Sequence, residues 1–281
     1  MVKKDIFNEK IEKTIRETIR KYMLLEEGEK VAVALSGGKD SILTLHMLDK
    51  LKNEFNIDLV AITIDEGIKG YRNEGVEAAR TNAENLEIKL IEKSFLNEFN
   101  FTLDDVFSFY KSACIPCGVF RRYLLNKTAH ELGASKIATG HNMDDEIQSF
   151  MMSFARADFR RFPKFGPKLD LIHPKLVPRI KPLWKVSEKD VGTWAILNEV
   201  EVHFAECPYS HMSARSKIKE FLNKIESNRK GTKRNILESF DKTFQFEKKT
   251  ANLYECQKCG EPSSLNVCKA CEMLEEINKL I

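Results

Sequence analysis

The sequence feature that most constrains the fold is an apolar run that leads directly into a loop with two glycines. Residues 31–35 are five consecutive apolar residues, typical of a strand buried on both faces of a parallel sheet. The loop spans residues 36–41, and apolar residues recur at helical spacing behind it: Ile42, Leu45, Leu48 and Leu51. The loop therefore lies at a strand-to-helix turn, where free N–H groups and the positive end of the helix dipole favour an anion.

The residue types of this loop suit a phosphate ligand. Two adjacent glycines let the backbone curve around phosphate oxygens, which a Cβ would obstruct. The alternative is an ordinary glycine-rich turn. The pattern is neither the Gly-x-x-x-x-Gly-Lys-Ser/Thr loop nor Gly-x-Gly-x-x-Gly. It resembles the pyrophosphate-binding loop (PP-loop) of the N-type ATP pyrophosphatases, and this resemblance implies that ATP and Mg²⁺ are bound by Ser36, Gly37, Gly38, Lys39, Asp40 and Ser41.

Four of the seven cysteines form two Cys-x-x-Cys pairs near the end of the chain, Cys256 with Cys259 and Cys268 with Cys271. This spacing predicts a closed tetrahedral Zn²⁺ site in a small zinc ribbon. The alternative is free or disulfide-bonded cysteines. The sequence shows no N-terminal apolar signal segment and no long hydrophobic stretch, so we expect a cytoplasmic protein with no membrane partner, whose cysteines stay reduced.

The other three cysteines are Cys114, Cys117 and Cys207, which cannot close a cysteine-only zinc site. Two chemistries fit them: a [4Fe–4S] cluster held by three thiolates with one iron left open, or a redox or persulfide relay. A third alternative is a structural Cys-x-x-Cys pair with an unrelated buried Cys207. His211 could supply a fourth ligand, but a lone histidine in a polar loop is more often a surface residue and is not included.

Length and composition bound the architecture. The chain has 281 residues, enough for one substantial α/β core and a small appendage. Its 42% hydrophobic and 31% charged residues are those of a globular protein. A net charge of +3 is too small to indicate nucleic-acid binding unless the basic residues cluster locally.

Strands and helices are predicted to alternate along the first half of the chain. The predicted strands are residues 31–35, 59–64, 88–91 and 136–139. Besides the helix behind the loop, helices are predicted at residues 5–25, 73–86 and 119–132. This alternation indicates an α/β fold with a doubly wound parallel sheet and a site at the carboxyl ends of its strands. The loop, Asp65 and residues 140–145 all fall at such ends.

Basic and aromatic residues are interleaved past about residue 156. The first such segment contains Arg156, Arg160, Arg161, Lys164 and Lys168 with Phe159, Phe162 and Phe165, and further cations are Lys175, Arg179, Lys181 and Lys185. A second basic run spans residues 229–234, between two predicted helices. Cations beside aromatic side chains are typical of RNA binding. The alternative is solvated charged faces with phenylalanines in the core.

Several motifs occur in a fixed order along the chain. They are residues 36–41, Cys-Ile-Pro-Cys-Gly-Val-Phe-Arg-Arg from residue 114, Thr-Gly-His-Asn-Met-Asp-Asp-Glu-Ile-Gln from residue 139, Arg-Ile-Lys-Pro-Leu from residue 179, His-Phe-Ala-Glu-Cys-Pro-Tyr-Ser-His from residue 203 and the cysteine ribbon. Together they resemble the tRNA 2-thiouridine synthetases of the TtuA/Ncs6 family, over about residues 28–272. The resemblance implies a tRNA sulfurtransferase with a HUP-like PP-loop domain, in which ATP adenylates O2 of a tRNA uridine.

The same resemblance implies roles for individual residues. Cys114, Cys117 and Cys207 would bind a [4Fe–4S] cluster whose bound sulfide replaces O2. Asp40 and Asp145 would coordinate Mg²⁺ or order the loop, and Arg121 would meet the phosphate or the adenylated uridine. The remaining implied ATP contacts are Ala34, Ile64 and Gly140. The implied partners are tRNA and a sulfur donor, either free sulfide or a ubiquitin-like thiocarboxylate carrier, and a homodimer is compatible with it.

The sequence also predicts four segments: an N-terminal helix (1–27), the catalytic domain (28–210), a helical tRNA-contacting extension (211–250) and the zinc ribbon (251–281). One feature departs from the family, which usually begins with a second zinc finger, because no cysteine precedes Cys114. Two other functions stay open at this point: a tRNA 2-thiocytidine synthetase of the same superfamily, and a non-catalytic zinc protein that binds RNA.

Overall fold

A five-stranded parallel sheet forms the centre of the fold. The computed structural model describes residues 2–212, 215–243 and 253–280. The strands are β1 (Lys30–Ala34), β2 (Asp58–Asp65), β3 (Leu90–Ser94), β4 (Lys136–Ala138) and β5 (Arg179–Ile180). They lie in the order β3-β2-β1-β4-β5, and each neighbouring pair is parallel. Because the strand order reverses direction between β1 and β4, a ligand is expected in the crevice at their carboxyl ends.

Residues of the central strand alternate between the two faces of the sheet. Val31 and Val33 belong to the apolar cluster on one face, and Ala32 belongs to the cluster on the other. In the parallel register, Val33 lies opposite Ala61 of β2 and Ala138 of β4. Both faces are covered, which is why the strand is an unbroken apolar run in the sequence.

Helices cover both faces of the sheet. They are α1 (Val2–Lys21), α2 (Lys39–Phe55), α3 (Arg72–Asn85), α4 (Phe95–Phe99), α5 (Leu103–Val106), α6 (Cys114–Glu131), α7 (Met143–Ala155), α8 (Glu188–Asn198), α9 (Arg215–Asn228), α10 (Thr232–Thr243) and α11 (Lys269–Ile277). One apolar cluster contains residues of α1, α2, α3 and α8, and the other contains residues of α4, α5, α6 and α11. Two short antiparallel strands, β6 (Tyr254–Glu255) and β7 (Pro262–Ser263), precede α11.

The C-terminal part packs on the sheet domain at two places. Leu222 of α9 and Leu237 of α10 share an apolar cluster with Ile147 of α7. The cysteine ribbon packs on α6, because Met273 and Ile277 of α11 belong to the same buried cluster as the apolar side of that helix. Both helices that carry site residues, α6 and α7, are therefore supported from the C-terminal side.

The α/β fold with a doubly wound parallel sheet, a helical extension and a zinc ribbon is confirmed. Several local predictions differ from the structure. Helix α6 begins at Cys114 rather than at residue 119, and β3 spans Leu90–Ser94 rather than residues 88–91. Helices α4, α5 and α8 were not predicted, nor was β5, which has only two residues. The division into segments 1–27, 28–210, 211–250 and 251–281 stays a prediction. Within the described ranges, no helix is long and apolar enough to cross a membrane.

Candidate functional site

The predicted phosphate loop lies at the carboxyl end of β1, in the crevice of the sheet. Gly37 has φ +82°, and a Cβ there would overlap the carbonyl oxygen of Gly75 on α3. Gly140, which follows β4, packs directly against the loop. A Cβ on Gly140 would lie 2.7 Å from the backbone nitrogen of Ser41. Glycine is therefore required at both positions by close approach of backbone segments.

Two serine side chains hold the loop in its curved shape. The hydroxyl of Ser41 donates to the carbonyl of Gly38 at 2.9 Å and accepts from the backbone N–H of Ser36 at 3.1 Å. The hydroxyl oxygens of Ser36 and Ser41 are 3.0 Å apart. The loop is thus preorganised by its own residues, which suits a site that encloses an anion.

The charged residues of the loop lie among acidic partners. Lys39 Nζ is 2.8 Å from Asp40 Oδ2 and 3.5 Å from Glu188 Oε1 of α8. Burial acts against the charge of Lys39, but Asp40 and Glu188 outweigh it and raise its pKa. The side-chain amide of Asn142 donates to Asp40 Oδ1 at 2.7 Å, which joins the loop to the start of α7.

Asp145 lies in the first turn of α7, where it forms a capping box with Asn142. Its Oδ1 accepts from Arg215 at 3.0 Å. Burial raises the pKa of Asp145 to about 6; Arg215 opposes this rise, and the charge of Asp40 adds to it. Asp40 and Asp145 therefore influence each other beside the loop. Two carboxylates beside a phosphate-binding loop are a donor set that fits Mg²⁺.

Cys114 and Cys117 lie in the first turn of α6, one exposed and the other half-buried. Burial raises the pKa of Cys117 to about 12; Arg121 opposes this rise, and Glu66, Cys207 and Cys114 add to it. The three thiols therefore lie near enough to influence one another. Soft sulfur donors of this kind fit an iron–sulfur cluster, which would hold them as thiolates.

The segment that carries Cys207 is fixed from two sides. The hydroxyl of Tyr209 donates to Asp104 at 2.7 Å, and its ring lies 4.6 Å from that of Phe107. On the other side, the backbone N–H of His203 donates to the carbonyl of Gly37 at 2.9 Å. The same segment thus touches both the loop and the cysteine site. His211 is exposed and its Nδ1 lies 2.8 Å from the carbonyl of Pro208.

A cluster of cations surrounds His141, which follows β4, and Arg179, the first residue of β5. Burial and the positive charges of Lys181, Arg121 and Arg215 lower the pKa of His141 to about 3. Burial, Arg122 and Arg121 lower the pKa of Arg179 to about 10. Because Lys181 is paired with Glu146 and Arg215 with Asp145, the positive charge that suits an anionic substrate comes from Arg122 and Arg179. We had not predicted Arg122 or His141 from sequence, although both lie inside the quoted motifs.

Two further residues were missed although both follow β2. Arg72 and Glu66 are each 5% exposed and form an ion pair at 2.8 Å between Arg72 Nε and Glu66 Oε2. Arg72 also donates to the carbonyl of Ile64 at 2.9 Å, one of the residues expected to contact adenine. Ala34, the other such residue, is the last residue of β1. The available signal was a charged residue, Glu66, directly after a buried strand; Arg72 is the first residue of α3 and had no comparable signal.

The C-terminal cysteines form a compact donor set. The four Sγ atoms of Cys256, Cys259, Cys268 and Cys271 all lie within 4.8 Å of one another. Tetrahedral Zn–S bonds of about 2.3 Å need sulfurs about 3.8 Å apart, and Cys259 Sγ lies 3.6 Å from Cys268 Sγ. Burial opposes the charge of Cys256, but backbone N–H groups of Cys268 and Cys259 outweigh it and lower its pKa to about 6. The set fits Zn²⁺.

The basic segments divide into exposed and structural residues. Arg160 and Arg234 are exposed. Lys181 instead bonds Glu146 at 2.8 Å, and Lys233 is buried against Asp144. The basic segments therefore contain both exposed cations and cations that pair with buried carboxylates. Phe159 is 70% exposed whereas Phe162 is 3% exposed, so the aromatic residues divide in the same way.

Comparison with known proteins gives the family. Residues 5–224 match the PP-loop domain family. The tRNA 2-thiolation protein NcsA of Haloferax volcanii is 36% identical to this chain, over 97% of this chain and 92% of that protein. The cytoplasmic tRNA 2-thiolation protein 1 of Chlamydomonas reinhardtii is 34% identical, over 98% of this chain and 79% of that protein.

A solved structure gives the same result. The U34-tRNA thiolase NcsA from Methanococcus maripaludis, with its [4Fe-4S] cluster, matches with a TM-score of 0.84 and 34% identity, covering 98% of this chain and 89% of that one. The predicted resemblance to tRNA thiolases, the ATP-binding PP-loop and the class of enzyme, a tRNA sulfurtransferase, are confirmed. The chain belongs to the PP-loop family and, within it, to the tRNA 2-thiolation proteins.

Proposed function

We propose that this enzyme activates a tRNA uridine with ATP and then replaces the O2 of that uridine with sulfur. The observation that carries the proposal is that one segment of the chain connects both halves of the site: His203 bonds the PP-loop, and Cys207, four residues later, is near enough to Cys114 and Cys117 for their charges to act on one another. Two chemistries that share a cleft can act in sequence on one bound nucleotide.

The ATP half supplies a leaving group. The C2 oxygen of uridine leaves poorly, so O2 attacks the α-phosphorus of ATP and pyrophosphate departs. Gly37, Gly38, Lys39 and Ser41 would hold the departing pyrophosphate at the N-terminus of α2. Asp40 and Asp145 would bind the Mg²⁺ that neutralises it, and Ala34, Ile64 and Gly140 would contact the rest of the nucleotide.

The cysteine half supplies the sulfur. When bound to Cys114, Cys117 and Cys207, a [4Fe–4S] cluster would present a sulfide ligand as the nucleophile. A C–S bond then forms at C2 while the C2–O bond breaks, and AMP leaves with the original oxygen. Arg121 would stabilise the phosphate of the adenylated uridine, and the cation cluster around Arg179 would bind the RNA backbone.

We further propose where the reaction occurs, what donates the sulfur and which base is modified. We expect it to occur in the cytoplasm, because the Chlamydomonas relative is named a cytoplasmic protein. Free sulfide or a ubiquitin-like thiocarboxylate carrier would deliver the sulfur, and a homodimer remains a prediction. The relatives are named for 2-thiolation of tRNA and the solved neighbour for thiolation of U34, which supports uridine as the target base.

Two variants test the proposal on anaerobically reconstituted enzyme with ATP, sulfide and unmodified tRNA. Lys39→Ala should lose both pyrophosphate release and thiolated nucleoside, by about a hundredfold or more, because it removes a charge from the phosphate site. Cys207→Ala should lose the cluster absorbance and the thiolated nucleoside but keep pyrophosphate release.

Mass analysis of digested tRNA identifies the product. Thiocytidine instead of thiouridine would assign the enzyme to the related synthetases. A colourless reconstituted protein that still thiolates tRNA would replace the cluster with a persulfide relay. Absence of both pyrophosphate and thiolated nucleoside from the wild-type reaction would refute the proposal.

A further inference from the structure

Glu66 and Arg72 form a charged pair in the interior of the sheet domain. Each residue is only 5% exposed, and both follow β2 at the carboxyl edge of the sheet. A buried ion pair of this kind is weak support for stability, because desolvation offsets much of its attraction. Such a pair can instead serve to hold neighbouring groups in place.

Arg72 connects the pair to the PP-loop. Its guanidinium donates to the carbonyl of Ser36 at 2.6 Å and to the hydroxyl of Thr63 at 2.7 Å. A third donor, Nε, reaches the carbonyl of Ile64 at 2.9 Å and Glu66 Oε2 at 2.8 Å. The planar guanidinium thus fixes the first residue of the loop to the end of β2 in one geometry.

Glu66 connects the pair to the cysteine site. Its second oxygen, Oε1, lies 3.4 Å from an amino group of Arg121. The side chain of Arg121 is 52% exposed, whereas that of Arg72 is buried. Arg121 lies one helical turn after Cys117 on α6. One carboxylate therefore holds a buried arginine on the loop side and an accessible arginine on the cysteine side.

The balance of charge leaves Arg121 able to bind an anion. Glu66 has one negative charge and faces two guanidinium groups, so the three residues together carry one net positive charge. Because Arg72 is buried and already bonded to three backbone or side-chain oxygens, that surplus is available at Arg121, on the solvent side. Glu66 restrains Arg121 without neutralising the site.

We propose that Glu66 is a positioning residue that ties Arg121 to the PP-loop through Arg72, so that the uridine activated at the loop is held for sulfur transfer at the cysteines. The inference rests on the function proposed above. Without this tie, ATP would still be cleaved, but the adenylated uridine would be held loosely, and water could hydrolyse it before sulfur arrives.

The test is the ratio of thiouridine formed to pyrophosphate released, measured in one reaction with the full-length, reconstituted enzyme. Glu66→Gln keeps the shape and removes the charge, and it should lower this ratio by about tenfold or more, the scale of one lost charge-assisted contact. Pyrophosphate release itself should change by less than about threefold, because the loop residues are intact. A merely structural role would lower both products together and leave the ratio unchanged.

A double-mutant cycle identifies the residue through which Glu66 acts. If it acts through Arg121, Glu66→Gln should lower the ratio no further in an Arg121→Ala background. The matched control is Glu92→Gln. Glu92 of β3 forms a surface ion pair with Arg80 of α3 at 2.9 Å, so this variant also removes a carboxylate from an arginine, but away from the site. That variant should keep the wild-type ratio.

Each alternative outcome has a distinct meaning. Additive losses in the double variant would overturn the proposal, as would an unchanged ratio in Glu66→Gln. If Glu66→Gln does not fold, Glu66→Asp keeps the charge for Arg72 but shortens the reach to Arg121, and the same drop in ratio is expected. Failure of the wild-type enzyme to release pyrophosphate or to form thiouridine would instead refute the proposed function.

Discussion

Single residues of the site differ in how far the sequence predicts them. Asp40 and Asp145 lie in the first turns of the helices that follow β1 and β4, so their place at the carboxyl edge could be predicted from the alternation of strands and helices. Glu66 and Arg72 could not, because their meaning depends on what their side chains reach: Ser36 on one side and Arg121 on the other. Charged residues just after a strand or at the start of a helix are usually solvated, and only the tertiary fold buries these two.

The pH dependence of ATP cleavage should reflect Asp145. Its pKa is raised to about 6 by burial, so the carboxylate that is proposed to bind Mg²⁺ becomes ionised as the pH rises through about 6. We expect pyrophosphate release to increase over that range and to be low and nearly independent of pH in Asp145→Asn. Pyrophosphate assays from pH 5 to 8 check this, and Asp158→Asn, an exposed-site control, should keep the wild-type profile.

The raised pKa of Asp145 also makes the free energy of unfolding depend on pH. A carboxyl group whose pKa is higher in the folded state favours folding while it is protonated, and that contribution is lost as the pH rises through about 6. At pH 8 Asp145 is ionised at a cost from burial, and Asp145→Asn removes that cost, so the variant should have a thermal midpoint at or above that of the wild type while losing activity. A large drop in the midpoint would mean that the contact with Arg215 matters more than burial.

At the scale of elements, the start of α6 was predicted wrongly. We expected it from residue 119, but it begins at Cys114 and includes Pro116 in its first turn. Proline is tolerated there because the first N–H groups of a helix have no partner within it, although proline and glycine in a sequence usually indicate a break. As a result, Cys114 and Cys117 lie on a helix that packs against the sheet and the cysteine ribbon.

Packing of the ribbon on α6 predicts a link between the two metal sites, which sequence separation alone would make independent. Cys259→Ser should lose zinc and lower the thermal midpoint by about 10 °C, which corresponds to about 3 kcal/mol for a chain of this size. Because Met273 and Ile277 of the ribbon share a buried cluster with Phe120 and Leu124 of α6, the variant should also retain less iron.

Elemental analysis and melting curves of anaerobically prepared protein measure all three effects. Leu265→Ala is the matched control, since Leu265 is in the ribbon but is 63% exposed. This control should keep both metals. Full iron content in a folded, zinc-free Cys259→Ser protein would show that α6 does not need the ribbon.

At the scale of the whole molecule, charge could be predicted from the sequence only as a total. The net charge is +3, yet the cations divide into those that hold the fold and those that face solvent. Lys181 and Lys233 each neutralise a buried carboxylate, Glu146 and Asp144. A structural cation and an RNA-binding cation have the same residue type and the same aromatic neighbours in the sequence. Only the fold shows which cations pair with a buried carboxylate.

The exposed cations should therefore carry the contact with tRNA. Arg160, beside the 70% exposed ring of Phe159, is the sharpest test because both can reach RNA without disturbing the core. Arg160→Glu should weaken tRNA binding at low salt and reduce the slope of log K against log salt concentration by about 1, the change expected for one lost phosphate contact. ATP affinity should stay constant, since the PP-loop lies in the crevice of the sheet.

The matched control is Lys13→Glu on α1, an equal charge reversal at a side chain that is 75% exposed. Filter binding at several salt concentrations should show wild-type affinity and slope for this control. If both reversals weaken tRNA binding equally, attraction depends on the total charge rather than on a defined surface. If only Arg160→Glu does so, the segment after α7 is a defined surface for the RNA backbone, as its exposed cation and exposed aromatic ring suggest.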